Sequence, residues 1–111
     1  MYTDILPQDV LRRQEQGEPV HILDVREQDE WESGHIHGAY HIPLGQINRA
    51  LNELDREQET IVVCRSGNRS SRACEYLSSL GCRVVNMTGG MSAWSGALAY
   101  GQEGNQGGVG R

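Results

Sequence analysis

The chain has 111 residues, a formal net charge of -5 and three cysteines, a length that fits one domain built on one core between a sheet and helices. The acidic balance argues against a general nucleic-acid or anionic-membrane role, and no apolar run approaches the roughly 20 residues needed to span a bilayer. An odd cysteine count without a framework pattern points to a reducing, cytoplasmic compartment. The opening Met1-Tyr2-Thr3-Asp4 lacks the basic and apolar regions of a secretory leader. The hydrophobic fraction of 37% omits 14 glycines, which bring it near the usual share of about 45–50%.

Taken in order, residues 1–5 read as a short first strand. Pro7 suits the first turn of a helix that buries Val10 and Leu11 and stops at Gly17. Residues 21–25 are short and apolar, a central-strand pattern. Residues 27–33 predict a short acidic helix ended by Gly34, and His41-Ile42 a brief strand before Pro43. Leu44, Ile47, Leu51 and Leu54 recur at helical spacing and predict a helix over 44–54. Residues 53–59 are a solvated, charged connection. Ile61-Val62-Val63 is a strand. The spacing of Ala73, Tyr76, Leu77 and Leu80 predicts a helix over 69–80, capped by Gly81. Residues 83–87 read as another strand and 90–95 as a last helical turn or two. Strands alternating with helices imply crossovers and a mostly parallel sheet of about five strands, with helices on both faces. Residues 1–96 form this single α/β domain. After Trp94 the character changes: residues 101–111 have almost nothing to bury. The whole of 97–111 is assigned to a flexible, glycine-rich tail.

The chemistry concentrates where Ile61-Val62-Val63 runs into Cys64-Arg65-Ser66-Gly67-Asn68-Arg69-Ser70-Ser71-Arg72-Ala73. A loop between a strand's carboxyl end and a helix's amino end can turn successive backbone N–H groups inward as an anion nest, with the helix dipole behind it. Cys64 at the rim, partly exposed and beside Arg65 and Arg69, should then have its thiolate favoured. Gly67 permits the sharp turn with positive φ, and Ser70 or Ser71 can cap the helix. The bland alternative is a strand-end cysteine acting as a small hydrophobe. Two arginines, two serines and a glycine immediately after it would then serve no purpose. Ligands in such sheets bind outside the carboxyl ends of the strands. Asp24 ends an apolar strand too, so it should share that edge.

The loop resembles the active-site loop of the rhodanese family, the persulfide-forming sulfurtransferases. Further blocks follow the family in order and spacing: Asp24-Val25-Arg26-Glu27, Glu30-Trp31, Gly34-His35-Ile36-His37-Gly38-Ala39, His41-Ile42-Pro43-Leu44 and Gly89-Gly90-Met91-Ser92-Ala93-Trp94. The resemblance implies a small doubly wound domain and a sulfurtransferase without cofactor. Its donor would be a thiosulfate-like anion, and its acceptor cyanide or a thiol such as glutathione or thioredoxin. Cys64 would carry the persulfide. Arg65 and Arg69 would attract the donor, and the amides of Ser66, Gly67, Asn68, Arg69 and Ser70 would hold the sulfur. Related phosphatases and arsenate reductases of this fold carry a loop one residue longer before the arginine, with room for a tetrahedral oxyanion. The spacing from Cys64 to Arg69 matches the shorter loop, which disfavours that rival. A non-enzymatic interaction module of the same fold is disfavoured by the retained cysteine.

Asp24 and Arg26 are expected to support the site, chiefly as an ion pair or loop hydrogen bonds that fix the turn. His35, His37 and His41 lack the i, i+4 helical spacing of a metal pair, so no metal site is expected. Cys74 and Cys82 have no basic loop around them and read as core. Trp31 and Trp94 read as packing anchors.

Overall fold

A computed structural model describes residues 1–101 and 105–106. Its frame is a parallel sheet. Strands β1 (Thr3–Ile5), β2 (His21–Asp24), β4 (Tyr40–His41), β5 (Thr60–Val63), β6 (Val84–Met87) and β8 (Asn105–Gln106) lie in the order β1-β6-β5-β2-β4-β8. Two short strands, β3 (His35–Ile36) and β7 (Leu98–Ala99), form a separate antiparallel pair. Helices α1 (Pro7–Glu15), α2 (Gln28–Glu32), α3 (Ala50–Glu53) and α4 (Asn68–Ser79) connect the strands. Among the described residues, no helix is long and apolar enough to cross a membrane.

Each central strand is apolar on both sides because both faces of the sheet are covered. Alternation sorts the side chains. Ile22, Ile61, Val63, Val85 and Met87 enter one core with Val10 and Trp31. Leu23, Val62, Cys64 and Val84 enter the other with Ala73, Cys74 and Leu77 of α4. Cys64 thus continues the Val62 side of β5 and faces α4. In register, Asp24 lies opposite Val63, so the ends of β2 and β5 open at one edge.

Three expectations need correction. The stripe of α4 is Ser70, Ala73, Cys74 and Leu77, while Tyr76 and Leu80 are 39% exposed. The buried set recurs at i, i+3, i+4 and i+7, the same helical period rotated onto a different face. Residues 44–54 are not one helix. A 3-10 segment, Leu44–Arg49, has non-helical backbone at Gln46 and passes into α3. Their apolar side chains still pack as the spacing required: Leu44, Ile47 and Leu51 lie against the α4-side core, and Leu54 is buried in it. Finally, β7 lies beyond residue 96, where Ala99 packs against His35 in register and is 5% exposed. Ordered pairing therefore extends into the segment assigned to the tail. Residues 102–104 and 107–111 lie outside the described residues.

Candidate active site

Cys64 follows β5 directly, and the chain folds back over its sulfur. Gly67 adopts φ +108 as the N-cap of α4, a conformation open to glycine. That turn aims the Gly67 N–H at Cys64 Sγ, 3.0 Å away. No serine side chain caps the helix. Ser70 sits on the buried stripe instead, with its Oγ 3.3 Å from Sγ. Its hydroxyl donates to Asn86 Oδ1 of β6 at 2.5 Å. Ser71 Oγ lies 2.6 Å from the Tyr2 hydroxyl. Capping is thus displaced by tertiary partners.

A second segment buttresses the loop. Met91 N–H donates to the Cys64 carbonyl at 2.8 Å and Ser92 N–H to the Arg65 carbonyl at 2.9 Å. Gly90, at φ +58, makes this approach possible: a Cβ there would collide with both carbonyl oxygens. The pairing holds the carbonyls outward, which leaves the loop's N–H groups on the sulfur side.

The thiol is not partly exposed as expected: Cys64 is 1% exposed. Burial is the largest single influence on the thiol and pushes it up. The Ser70 hydroxyl, when its proton faces the sulfur, and the amides of Ser70, Gly67 and Ser66 act the other way. Together they win, and the thiol titrates below its ordinary value. Enclosure and anion stabilisation therefore coexist because the enclosing atoms are donors.

The two arginines part company. Arg65 is exposed, and its side chain has no ion-pair or hydrogen-bond partner among the described residues. It lines a cleft of about 330 Å³ with Arg26, Glu30, Ser33, Met91 and Ser92. Arg69 instead holds the Glu30 carboxylate with both terminal nitrogens, at 2.7 and 2.9 Å. The Arg69 guanidinium, ahead of the opposing effect of burial, holds the Glu30 carboxyl down at about 2. Its charge is directed at α2, whereas Arg65 lines the cleft. Asn68 is exposed and lines a second, polar recess of about 300 Å³ with Asp4, Ser66, Asn86 and Gly89. Different parts of the loop thus line the two recesses, Arg65 the first and Ser66, Gly67 and Asn68 the second.

Asp24 and Arg26 form a buried bidentate pair, 1% and 5% exposed. Arg26 Nη2 donates to Asp24 Oδ2 and to the Gly34 carbonyl, both at 2.8 Å. The pair clamps the β2 end to the turn after α2, so it supports the cleft wall. Trp31, 0% exposed, is stacked on His35 at 3.5 Å and on His41 at 4.9 Å between ring centroids. His35 Nδ1 lies 2.7 Å from the Trp31 carbonyl, and His41 Nε2 lies 2.7 Å from the Arg26 carbonyl. A carbonyl only accepts, so each ring nitrogen donates. His37 is exposed. Burial pushes the Cys74 thiol up to about 12, with Asp4 and Cys64 adding to it. Burial also raises Cys82, against a smaller lowering by Arg56.

Two site residues escape a reading of the sequence. Glu30 pairs across 39 positions, which no local pattern reveals. Asn86 had a signal: it is the one polar side chain in Val84-Val85-Asn86-Met87, on the α4 side by alternation with Val84.

A family model described as a rhodanese-like domain matches residues 6–97. The chain is 43% identical over 82 residues to the putative sulfurtransferase YtwF of Bacillus subtilis, covering 74% of this chain and 80% of that one. It is 33% identical over 96 residues to a sulfurtransferase of Allochromatium vinosum, covering 86% and 90%. The crystal structure of a rhodanese-like domain protein from Staphylococcus aureus superposes with a TM-score of 0.85 at 33% identity, covering 90% of this chain and 99% of that one. With its parallel sheet, its cysteine loop at the end of β5 and these relatives, the chain belongs to the rhodanese-like domain family.

Proposed function

We propose that the protein is a sulfurtransferase that carries sulfane sulfur as a persulfide on Cys64. The observation that carries this reading is a buried thiol whose anion is favoured by inward amides at a strand's carboxyl end. In the first half-reaction, the Cys64 thiolate attacks the outer sulfur of a thiosulfate-type donor. A new S–S bond forms on Cys64, the donor's S–S bond breaks, and sulfite leaves with the electron pair. In the second, an acceptor thiolate or cyanide attacks the outer sulfur, and Cys64 departs as a thiolate. This is covalent catalysis with a ping-pong pattern. The thiolate attacks once and leaves once, so donors that stabilise its charge keep it ionised for the first half and assist its departure in the second.

Arg65 draws the anionic donor to the cleft, where Glu30 is already neutralised by Arg69. The amides of residues 66–70 stabilise the negative charge of the persulfide. A phosphate-ester reading has less support: Arg69, the cation such a loop needs on its oxyanion, is committed to Glu30. Intact mass after incubation with thiosulfate is the test. A gain of one sulfur, mapped to Cys64 and released as thiocyanate by cyanide, is expected. No gain, or an equal gain in Cys64→Ser, overturns the reading. Thiosulfate and mercaptopyruvate compared as donors, with cyanide, glutathione and thioredoxin as acceptors, then identify the preferred pair.

A further inference from the structure

Ser70 Oγ stands between two partners, Cys64 Sγ at 3.3 Å and Asn86 Oδ1 at 2.5 Å. All three residues are buried: Cys64 is 1%, Ser70 0% and Asn86 6% exposed. They come from three elements, the end of β5, the first turn of α4 and the middle of β6. A serine hydroxyl has one proton. With that proton on Asn86 Oδ1, only oxygen lone pairs face the sulfur. This suits a protonated Cys64, whose S–H donates to Ser70. It does not suit a thiolate, which needs the hydroxyl proton for itself.

A carboxamide can serve both arrangements because it offers an acceptor on one side and donors on the other. When Asn86 turns its Nδ2–H₂ to Ser70, the hydroxyl oxygen is satisfied as an acceptor and its proton is free for the sulfur. The two bonds then run in one direction and strengthen one another. An apolar side chain at 86 would not compete for the proton, and a carboxylate would hold it permanently.

We propose that Asn86 is a positioning residue that turns the Ser70 hydroxyl toward or away from Cys64, and so sets how readily the sulfur is held as an anion. Its extension to the persulfide rests on the sulfurtransferase reading; its statement about the thiol does not. Asn86 reaches the sulfur through the Ser70 hydroxyl. The other charged or titratable groups that act on this neighbourhood are Arg69 and Cys74 from α4, and Asp4 from β1 through Cys74.

The test is the pH dependence of Cys64 alkylation by iodoacetamide, read at the Cys64 peptide. It uses the full chain as wild type, Asn86→Ala, Asn86→Asp, Ser70→Ala and the two double variants, with folding checked by circular dichroism. Asn86→Ala removes the competing acceptor and raises the rate at pH 7 by about threefold or more. Asn86→Asp fixes the proton away from sulfur and lowers that rate by about tenfold, one unit of thiol pKa. In the Ser70→Ala background, the alanine effect disappears and the aspartate effect shrinks to that of its charge. Equal effects with and without the Ser70 hydroxyl overturn the proposal. If Asn86→Asp does not fold, the alanine cycle decides alone. Alkylation needs no sulfur donor, so failure of thiosulfate to load Cys64 leaves this result fully readable.

Discussion

Cys64 and Cys74 are both sealed from solvent, 1% and 0% exposed, and both face the α4-side core. Their thiols nonetheless move in opposite directions. Cys74 lies within α4, where the helix uses its own N–H groups, and burial takes it up to about 12. Cys64 lies where a helix begins, and the amides there have no carbonyl within the helix to serve. They serve the sulfur, and the thiol comes down. Burial alone therefore does not identify a reactive cysteine. What distinguishes the two is whether unspent donors enclose the sulfur.

That contrast can be broken most severely by deleting the sulfur itself. Cys64→Ser should reduce sulfur loading and thiocyanate formation to background, whereas Cys74→Ser and Cys82→Ser should retain both. Loss of activity in Cys74→Ser, with the fold intact by circular dichroism, would mean that the wrong thiol has been singled out.

A gentler break leaves the sulfur and displaces its donors. Gly90→Ala forces a methyl against the Cys64 and Arg65 carbonyls at a φ of +58. The expected cost is about 1–3 kcal/mol in urea unfolding, with slower alkylation of Cys64 at pH 7. Unchanged unfolding and alkylation would show that the 89–92 segment does not set the loop's shape.

The smallest effect sharpens the account of charge. Glu30 has its carboxyl held at about 2 by Arg69, below the usual 4.5. Its folded pKa is depressed, so the pair's stabilisation is present above about pH 4.5 and is lost as pH falls toward 2. The pair is partly exposed, with side chains 31% and 25% accessible. Its worth is therefore about 1 kcal/mol or less. Glu30→Gln should lose less stability than wild type between pH 4.5 and 2, as followed by urea midpoints. Parallel acid profiles would remove the ion pair from the description.

Much of this was legible in the residues. Alternation along 61–64 assigns Cys64 to the face of Val62, and the apolar ends of β2 and β5 bring Asp24 and Cys64 to one edge. The order of strands and helices yields the parallel sheet. The remainder depended on tertiary partners. Ser70 reads as a cap because serine commonly is one, but it starts the buried stripe of α4 and meets Asn86. Tyr76 and Leu80 mislead because surface helices expose some large apolar side chains. Arg69 looks free until α2 delivers Glu30. Leu98–Ala99 carries no strand signal of its own and is ordered by pairing with His35–Ile36.

The most direct measurement is the thiol pKa of Cys64 and of Cys74 in the same folded protein, taken from alkylation rate against pH at each peptide. The account predicts that Cys64 titrates below an ordinary thiol while Cys74 stays unreactive to about pH 12. A Cys64 that titrates at or above the ordinary value, or alongside Cys74, would contradict it.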